Sequence, residues 1–354
     1  MKIDKTELAN KIGKLKSIVP KKTPMEVLQG ILVKDGYLIA NSIDISVKVK
    51  IDGAKGESFI IPMKAFDLIS NLPPGEVEIT APNDESILIK AGKIRNKYQT
   101  MKAVNFPIND VDTESEDITI NSSQLIESIK RVLFAIPQTS SNRVMTALCM
   151  DADGDFLNFA GLDGHVMAWD KIDYSGSFTM LIPRETAEKL LTIGLIGDVS
   201  IKKSEKSAIF ATQGIEIYTR LINGQFFRYK NAFKSINMSL NTSIKRTDLL
   251  DAMTRAKMCT SENKPVKFSI VEDVLNISIK DSFTDYAEDL VLNDALSQDF
   301  TACFNAKLIL EALKAFDCEN VGIQLMNAKT PMILEAEDSD FRAMVLPVAI
   351  RQNP

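Results

Sequence analysis

The sequence predicts an α+β fold built from one unit repeated three times, and three kinds of landmark carry that prediction. An amphipathic stretch opens each unit. A pair of β-rich runs meeting at a short acidic or glycine turn follows, and a short apolar strand then leads into a second helical stretch. The turns centre on Asp35-Gly36, Asp153-Gly154 and Glu272-Asp273, 118 and 119 positions apart. Pro62, Pro183 and Asn305, which mark the second helical starts, are spaced by 121 and 122. One period for independent landmarks in a chain of 354 residues implies units at 1–115, 116–240 and 241–354.

The opening helices follow from apolar spacing. Leu8, Ile12, Leu15 and Val19 fall on one face of residues 5–19; Leu125, Ile129 and Leu133 do the same over 124–136, and a third helix is predicted over 247–258. The runs ILVKDGYLIA, LCMDADGDFLNFA and VKFSIVEDVLNISI read as hairpins, because β-rich segments there flank residues that tolerate a tight reversal. The second helices begin within FIIPMKAFDLISNLP, FTMLIPRETAEKLLTIG and FTACFNAKLILEALKAF. Proline suits a first helical position, since its ring fixes φ and its missing N–H had no partner there. Alternating strands close each unit, and the polar stretches Asn109–Asp117 and Lys234–Asn241 read as linkers.

Composition narrows the function. Hydrophobic residues make up 45% of the chain, enough for packed cores, and no apolar run reaches membrane or secretory length, so an intracellular, membrane-free protein is expected. Cys149, Cys259, Cys303 and Cys318 lack CxxC spacing, which suggests neither a disulfide framework nor a zinc ribbon. His165 is the single histidine and excludes any multi-histidine metal centre. The aspartates of DADGDF lack the closing glutamate of a calcium loop, and no phosphate-cradling glycine pattern occurs. No cofactor and no metal are expected. His165 follows Asp163-Gly164, but no nucleophile can be paired with it, so a catalytic base is a poor reading beside a structural or cleft-lining one. Trp169, the lone tryptophan, reads as packing.

The formal net charge of −5 is unevenly spread. Residues 5–22 carry Lys5, Lys11, Lys14, Lys16, Lys21 and Lys22 against Glu7, and the other predicted helices are neutral or mildly basic, so the sheets and loops are strongly acidic. Such a chain can offer a basic helical surface to phosphates while the rest stays acidic.

The triplication, together with LIPRETAEKLL, RLINGQF, GLDGHVMAWD and MVLPVAIR, resembles the DNA polymerase III β subunit family, the bacterial or bacteriophage sliding clamps. The similarity runs over essentially the whole chain. It implies DNA-clamp domains, each with two helices on antiparallel sheets, forming a head-to-tail dimeric ring, and a non-catalytic, cytoplasmic, nucleoid-associated processivity factor. Its implied partners are double-stranded DNA held without regard to sequence, the replicative polymerase, the clamp loader, other proteins carrying a clamp-binding peptide, and a second copy of the chain. A three-module interaction scaffold that never encircles DNA is the competing class.

Implied phosphate-facing cations are Lys11, Lys14 and Lys22 in the first unit, Lys130, Arg131, Arg184 and Lys189 in the second, and Arg255 and Lys257 in the third. The implied partner cleft lies between the second and third domains. From the second domain it draws on Met145, Leu162, Gly164, His165, Met167, Phe227, Asn231 and Ala232. From the third it draws on Asn305, Leu308, Pro331 and the tail residues Met344, Val345, Leu346, Pro347 and Val348. Ring closure would bring Tyr98 and Thr100 against Met258 and Cys259. The chain departs from the family pattern at Phe226-Phe227, at Leu162, at Asn231 and in the Leu346-Pro347-Val348-Ala349 tail, so its peptide preference is expected to differ.

Overall fold

The structure is a computed structural model and describes residues 1–109, 115–236, 238–260, 265–280 and 282–349. Both expected linkers, and the last residues of the MVLPVAIR motif, lie in part outside the described residues.

The described residues form α1 (Lys5–Lys16), α2 (Phe66–Asn71), α3 (Ser122–Val132), α4 (Arg184–Thr192), α5 (Tyr229–Ser235), α6 (Arg246–Met258) and α7 (Ala306–Ala315). The Asp4 carboxylate starts α1 by accepting from the N–H of Thr6 at 2.8 Å, and the helix buries Leu8, Ile12 and Leu15. Asn305 caps α7 in the same way through the N–H of Lys307. Pro62 and Pro183 end strands one position ahead of the helical residues that follow, earlier than the expected first helical position.

The chain divides into two compact units, Met1–Leu125 with Glu188–Leu221, and Ile126–Ala187 with the described residues from Ile222 onward. In the first, strands Lys2–Asp4, Glu76–Asn83, Ser86–Ala91 and Ile94–Gln99 form an antiparallel sheet in that order. An eight-stranded sheet joins the first two repeats, because Ile45–Lys50 pairs with Ile215–Arg220, Val47 opposite Ile217. In the second unit, Asp285–Val291, Val274–Lys280, Val266–Val271 and Phe300–Phe304 form one sheet. A six-stranded sheet joins the second and third repeats there, with Val166 opposite Val345. Pairs of helices cover these sheets, α1 packing on α2 and α6 on α7.

Two of the three expected hairpin turns form, and the third does not. Asp35 and Gly36 both take positive φ, 49° and 85°, and reverse the chain between Gly30–Lys34 and Tyr37–Asn41. Glu272 at φ 54° does so between Val266–Val271 and Val274–Lys280. At Asp153-Gly154 only the glycine is at positive φ, and the chain runs on as one strand, Ala147–Leu162, with a bulge between Gly154 and Phe156. The reversal comes instead at Asp163–His165, before the strand Val166–Pro183. α5 was not anticipated from the sequence.

Candidate functional site

The strands Ala147–Leu162 and Val166–Pro183 present Ala147, Cys149, Ala160, Met167 and Leu181 to one core, where they meet Ile333 and Met344. Tyr229 and Phe233 of α5 pack onto this face, and Trp169 stands edge-on to Tyr229 at 5.7 Å between ring centroids. Beside this cluster opens a cavity of about 380 Å³, lined almost wholly by apolar atoms. The reversal after the first strand supplies Leu162, Gly164, His165 and Met167; α5 and its flanks supply Phe227 and Ala232; the third repeat supplies Pro331, Met344 and Leu346. Sequence reasoning missed Val166, Ser235 and Ile236, which also line it. Recognising the last two required knowing that α5 exists.

Glycine is required at 164 because its φ is +89°, and a side chain there would meet only the Met145 methyl at 3.7 Å, so backbone conformation and not space decides the residue. The Asp163 carboxylate accepts from the backbone N–H groups of His165 and Val166, both at 2.8 Å, which fixes the turn. Leu346 donates its N–H to the His165 carbonyl at 2.9 Å, and Val348 to that of Cys303 at 2.7 Å, so the tail is laid along the cavity rim.

Several expected lining residues stand elsewhere. Strand alternation turns Met344 and Leu346 into the cavity and leaves Val345 fully buried on the other side. Asn231 faces a neighbouring cavity, and Asn305 spends its side chain on the α7 cap. Met145 touches the site only past Gly164. Leu308, Pro347 and Val348 are not among the lining residues.

α5 is held by a polar latch. Asp151 accepts from the Tyr229 hydroxyl at 3.0 Å, from Lys230 Nζ at 2.7 Å and from the Thr179 hydroxyl at 3.0 Å, while Lys230 also reaches Asp153 at 2.8 Å. The hydrogen bond from Lys230 holds the Asp153 carboxyl below its ordinary range. Although burial works against its charge, the hydrogen bonds to Asp151 and Asp153 hold the Lys230 ammonium above its ordinary value. Burial foremost pushes the neighbouring Cys149 thiol far up, so it is an inert core group.

The nine cations divide by how they are engaged. Lys22, Lys130 and Lys257 are exposed and Lys14 is half-buried, and none of the four has an ion-pair partner among the described residues. Lys11 is paired with Glu7, and Arg255 forms a two-pronged pair with Glu288, 3.0 Å at Nε. Arg131 binds Glu127 at 2.5 Å and faces Asp170 at 3.4 Å, a fully buried carboxylate whose burial raises its pKa. Lys189 contradicts the expectation of a surface cation. It is 6% exposed and donates to the Lys14 carbonyl and, at 3.0 Å, to the Ser17 hydroxyl, capping the end of α1. Burial, then the nearby Lys14 charge, lowers its pKa. Arg184 likewise turns inward, to the carbonyls of Leu133 and Ile136.

Each compact unit ends one sheet in an unpaired strand. Ile94–Gln99 carries Arg95, Lys97 and the half-buried Tyr98; Asp285–Val291 carries Asp285, Glu288 and Asp289. Thr100 turns its hydroxyl to the Ile60 carbonyl at 2.9 Å. Met258 closes α6 with 81% of its surface exposed, and Cys259 caps that helix.

Family models of the DNA polymerase III beta subunit match the chain in three consecutive pieces: the N-terminal domain over residues 1–110, the central domain over 119–227 and the C-terminal domain over 237–349. The Beta sliding clamp of Staphylococcus epidermidis is 24% identical over 358 aligned residues, covering 94% of each chain. That of Chlamydia muridarum is 24% identical over 350 residues, again with 94% of each covered. Among solved structures, the beta subunit from DNA polymerase of Streptococcus pyogenes superposes with a TM-score of 0.92 at 20% identity over 99% of both chains. The DNA polymerase III beta subunit of Thermotoga maritima gives 0.90 at 20% identity, also over 99% of both. The fold is therefore the three-domain clamp fold. With all three domain models matched in order, the chain belongs to the DNA polymerase III beta subunit family, the sliding clamps, which are non-catalytic processivity subunits. Among the described residues, no helix is long and apolar enough to cross a membrane.

Proposed function

We propose that two copies of this chain close head to tail into a ring around duplex DNA and tether a replicative polymerase to it. Beyond family membership, the carrying observation is a pair of edge strands of opposite charge, Arg95 and Lys97 on one and, on the other, Asp289 together with Asp285 and Glu288, which are paired within the chain to Lys280 and Arg255. Free strand edges template pairing with another chain, and opposite charge selects which edge meets which. Tyr98 and Met258 are the apolar groups we assign to that junction, with Cys259 and Thr100 at its margins. The domains run over 1–115, 116–240 and 241–354.

DNA is held by its phosphates alone, loosely enough to slide. Lys14, Lys22, Lys130 and Lys257 serve first, and Lys11, Arg131 and Arg255 lend charge from within their ion pairs. The apolar cavity takes a linear peptide from the polymerase, the clamp loader or other partners, because methionine and aliphatic walls repack around varied anchors. The loader supplies the energy of opening. The working compartment is the cytoplasm, at the nucleoid.

Sedimentation and loading test the ring. The wild-type chain is expected to sediment as a dimer at micromolar concentration and, with a loader, to stay on circular duplex DNA until the circle is cut. Reversing Lys22, Lys130 and Lys257 to Glu is expected to shorten that retention and flatten its salt dependence. A monomer that never stays on the circle refutes the proposal.

A further inference from the structure

A second cavity, of about 490 Å³, shares Phe227 with the first and is lined by Cys149, Asp151 and Thr179 from the sheet and by residues 224–231. Phe227 belongs to both cavities and is 55% exposed, so it forms a partition between an almost wholly apolar chamber and a more polar one. The partition is braced from behind. Gly224 lies so close to Val144 that a Cβ there would stand 2.5 Å from its Cγ2. Phe226 packs edge-on to Tyr229 at 6.2 Å, and the Asp151 latch fixes Tyr229. The side chains of Phe227 and Arg228 face outward without such ties.

The charges of the polar chamber are not equally available. Asp151 is already taken by Tyr229, Lys230 and Thr179, and Lys230 is shared between Asp151 and Asp153. Arg228 is exposed; its backbone carbonyl accepts from the N–H groups of Asn231 and Ala232, while its guanidinium has no ion-pair or hydrogen-bond partner among the described residues. The uncommitted charge is a guanidinium, whose planar fork matches a carboxylate. A cationic ligand would meet it with repulsion. Gln225 and Asn231, also exposed in the lining, can only add neutral hydrogen bonds.

From this geometry we infer that the partner peptide is bipartite: its apolar anchors fill the first cavity, and an acidic residue beyond Phe227 seats against Arg228. The inference rests on the peptide-cleft reading above and names what that reading leaves open, the flank of the ligand. Arg228 is then a specificity-determining residue. It sorts partners by charge, while Met167 and Leu346 set whether any peptide binds.

The test uses the full chain and random dodecapeptides displayed on phage, selected against the wild-type protein, with winners resynthesised and titrated by fluorescence anisotropy. Winners are expected to carry Asp or Glu flanking an apolar group. Changing that acid to Asn or Gln should weaken binding about three- to ten-fold on wild type and have no effect on Arg228→Ala, as for an exposed charge-assisted pair, with the difference shrinking as salt rises. Arg228→Glu should turn the preference to Lys at the same flank. Winners that lose affinity on Met167→Ala but show no acidic preference, or none coupled to Arg228, overturn this inference and leave the cleft standing. Failure to select any peptide, or winners indifferent to Met167→Ala, overturns the cleft and this inference with it.

Discussion

Removing Asp151 is the sharpest perturbation of the latch that holds α5 over the core. Its carboxylate accepts from the hydroxyl of Tyr229, a residue 4% exposed, from Lys230 and from Thr179. In Asp151→Ala the Tyr229 hydroxyl is left buried without an acceptor, at a cost of about 1–3 kcal/mol. Thr179 is exposed and rehydrates freely, and Lys230 keeps Asp153, so the lost ion pair adds only about 0.5–1 kcal/mol. The total is about 1.5–4 kcal/mol. Asp151→Asn keeps a carbonyl for Tyr229 and is expected to lose only about 1 kcal/mol.

Trp169 makes the measurement local. It is the only tryptophan, and its ring stands 5.7 Å from that of Tyr229 and 5.5 Å from that of Phe233. Urea unfolding followed by tryptophan fluorescence therefore reports on the α5 cluster. Peptide affinity should fall alongside stability, because α5 carries Ala232 and Ser235 into the cavity wall. An Asp151→Ala midpoint equal to wild type, or Asp151→Asn as damaging as Asp151→Ala, would refute the reasoning. Acid probes the same latch. Asp153 has a folded pKa held below its unfolded value, so its contribution is intact above the unfolded value of about 4 and is lost as pH falls through the folded one.

Lys189 carries a prediction of opposite sign, since its folded pKa lies below the unfolded value of about 10.4 and the unfolded chain binds the extra proton between the two. Wild-type stability relative to Lys189→Met should therefore rise with pH across that window, read as the difference in thermal midpoints; a flat difference would show that the amine is not held as described. Gly164→Ala must place a side chain at φ +89°, which should cost about 1–2 kcal/mol and weaken peptide binding, checked by denaturation and anisotropy on the same variant.

The repeat was legible because helix starts depend on short-range signals. Apolar spacing set α1, α3 and α6 within a few residues, and the cap of α7 is announced by Asn305 itself. The error at Asp153-Gly154 has a local cause. The two reversals that form each place a left-handed residue first, and composition alone does not reveal that Asp35 and Glu272 adopt that conformation where Asp153 does not. What no repeat count could supply is the pairing across repeat boundaries, Val47 with Ile217 and Val166 with Val345, which makes the compact units cut through the second repeat.

The candidate cleft came from the family resemblance and not from residue patterning, and Gly164, Met167 and Met344 of that expected set do line the apolar cavity. The site was illegible where the answer depended on what a side chain had already been spent on. Lys189 and Arg184 look like the other helix cations in sequence, yet each is consumed by carbonyls of its own fold. Charge counted along a helix overstates what a ligand can meet, because burial and internal acceptors withdraw some groups and carboxylates neutralise others. The same accounting works in reverse at Arg228. It belongs to no predicted helix, so its importance emerges only once Asp151 and Asp153 are seen to have chosen Lys230. A guanidinium left without a partner at the rim of a polar chamber selects among ligands; a lysine already shared by two acids holds the wall in place.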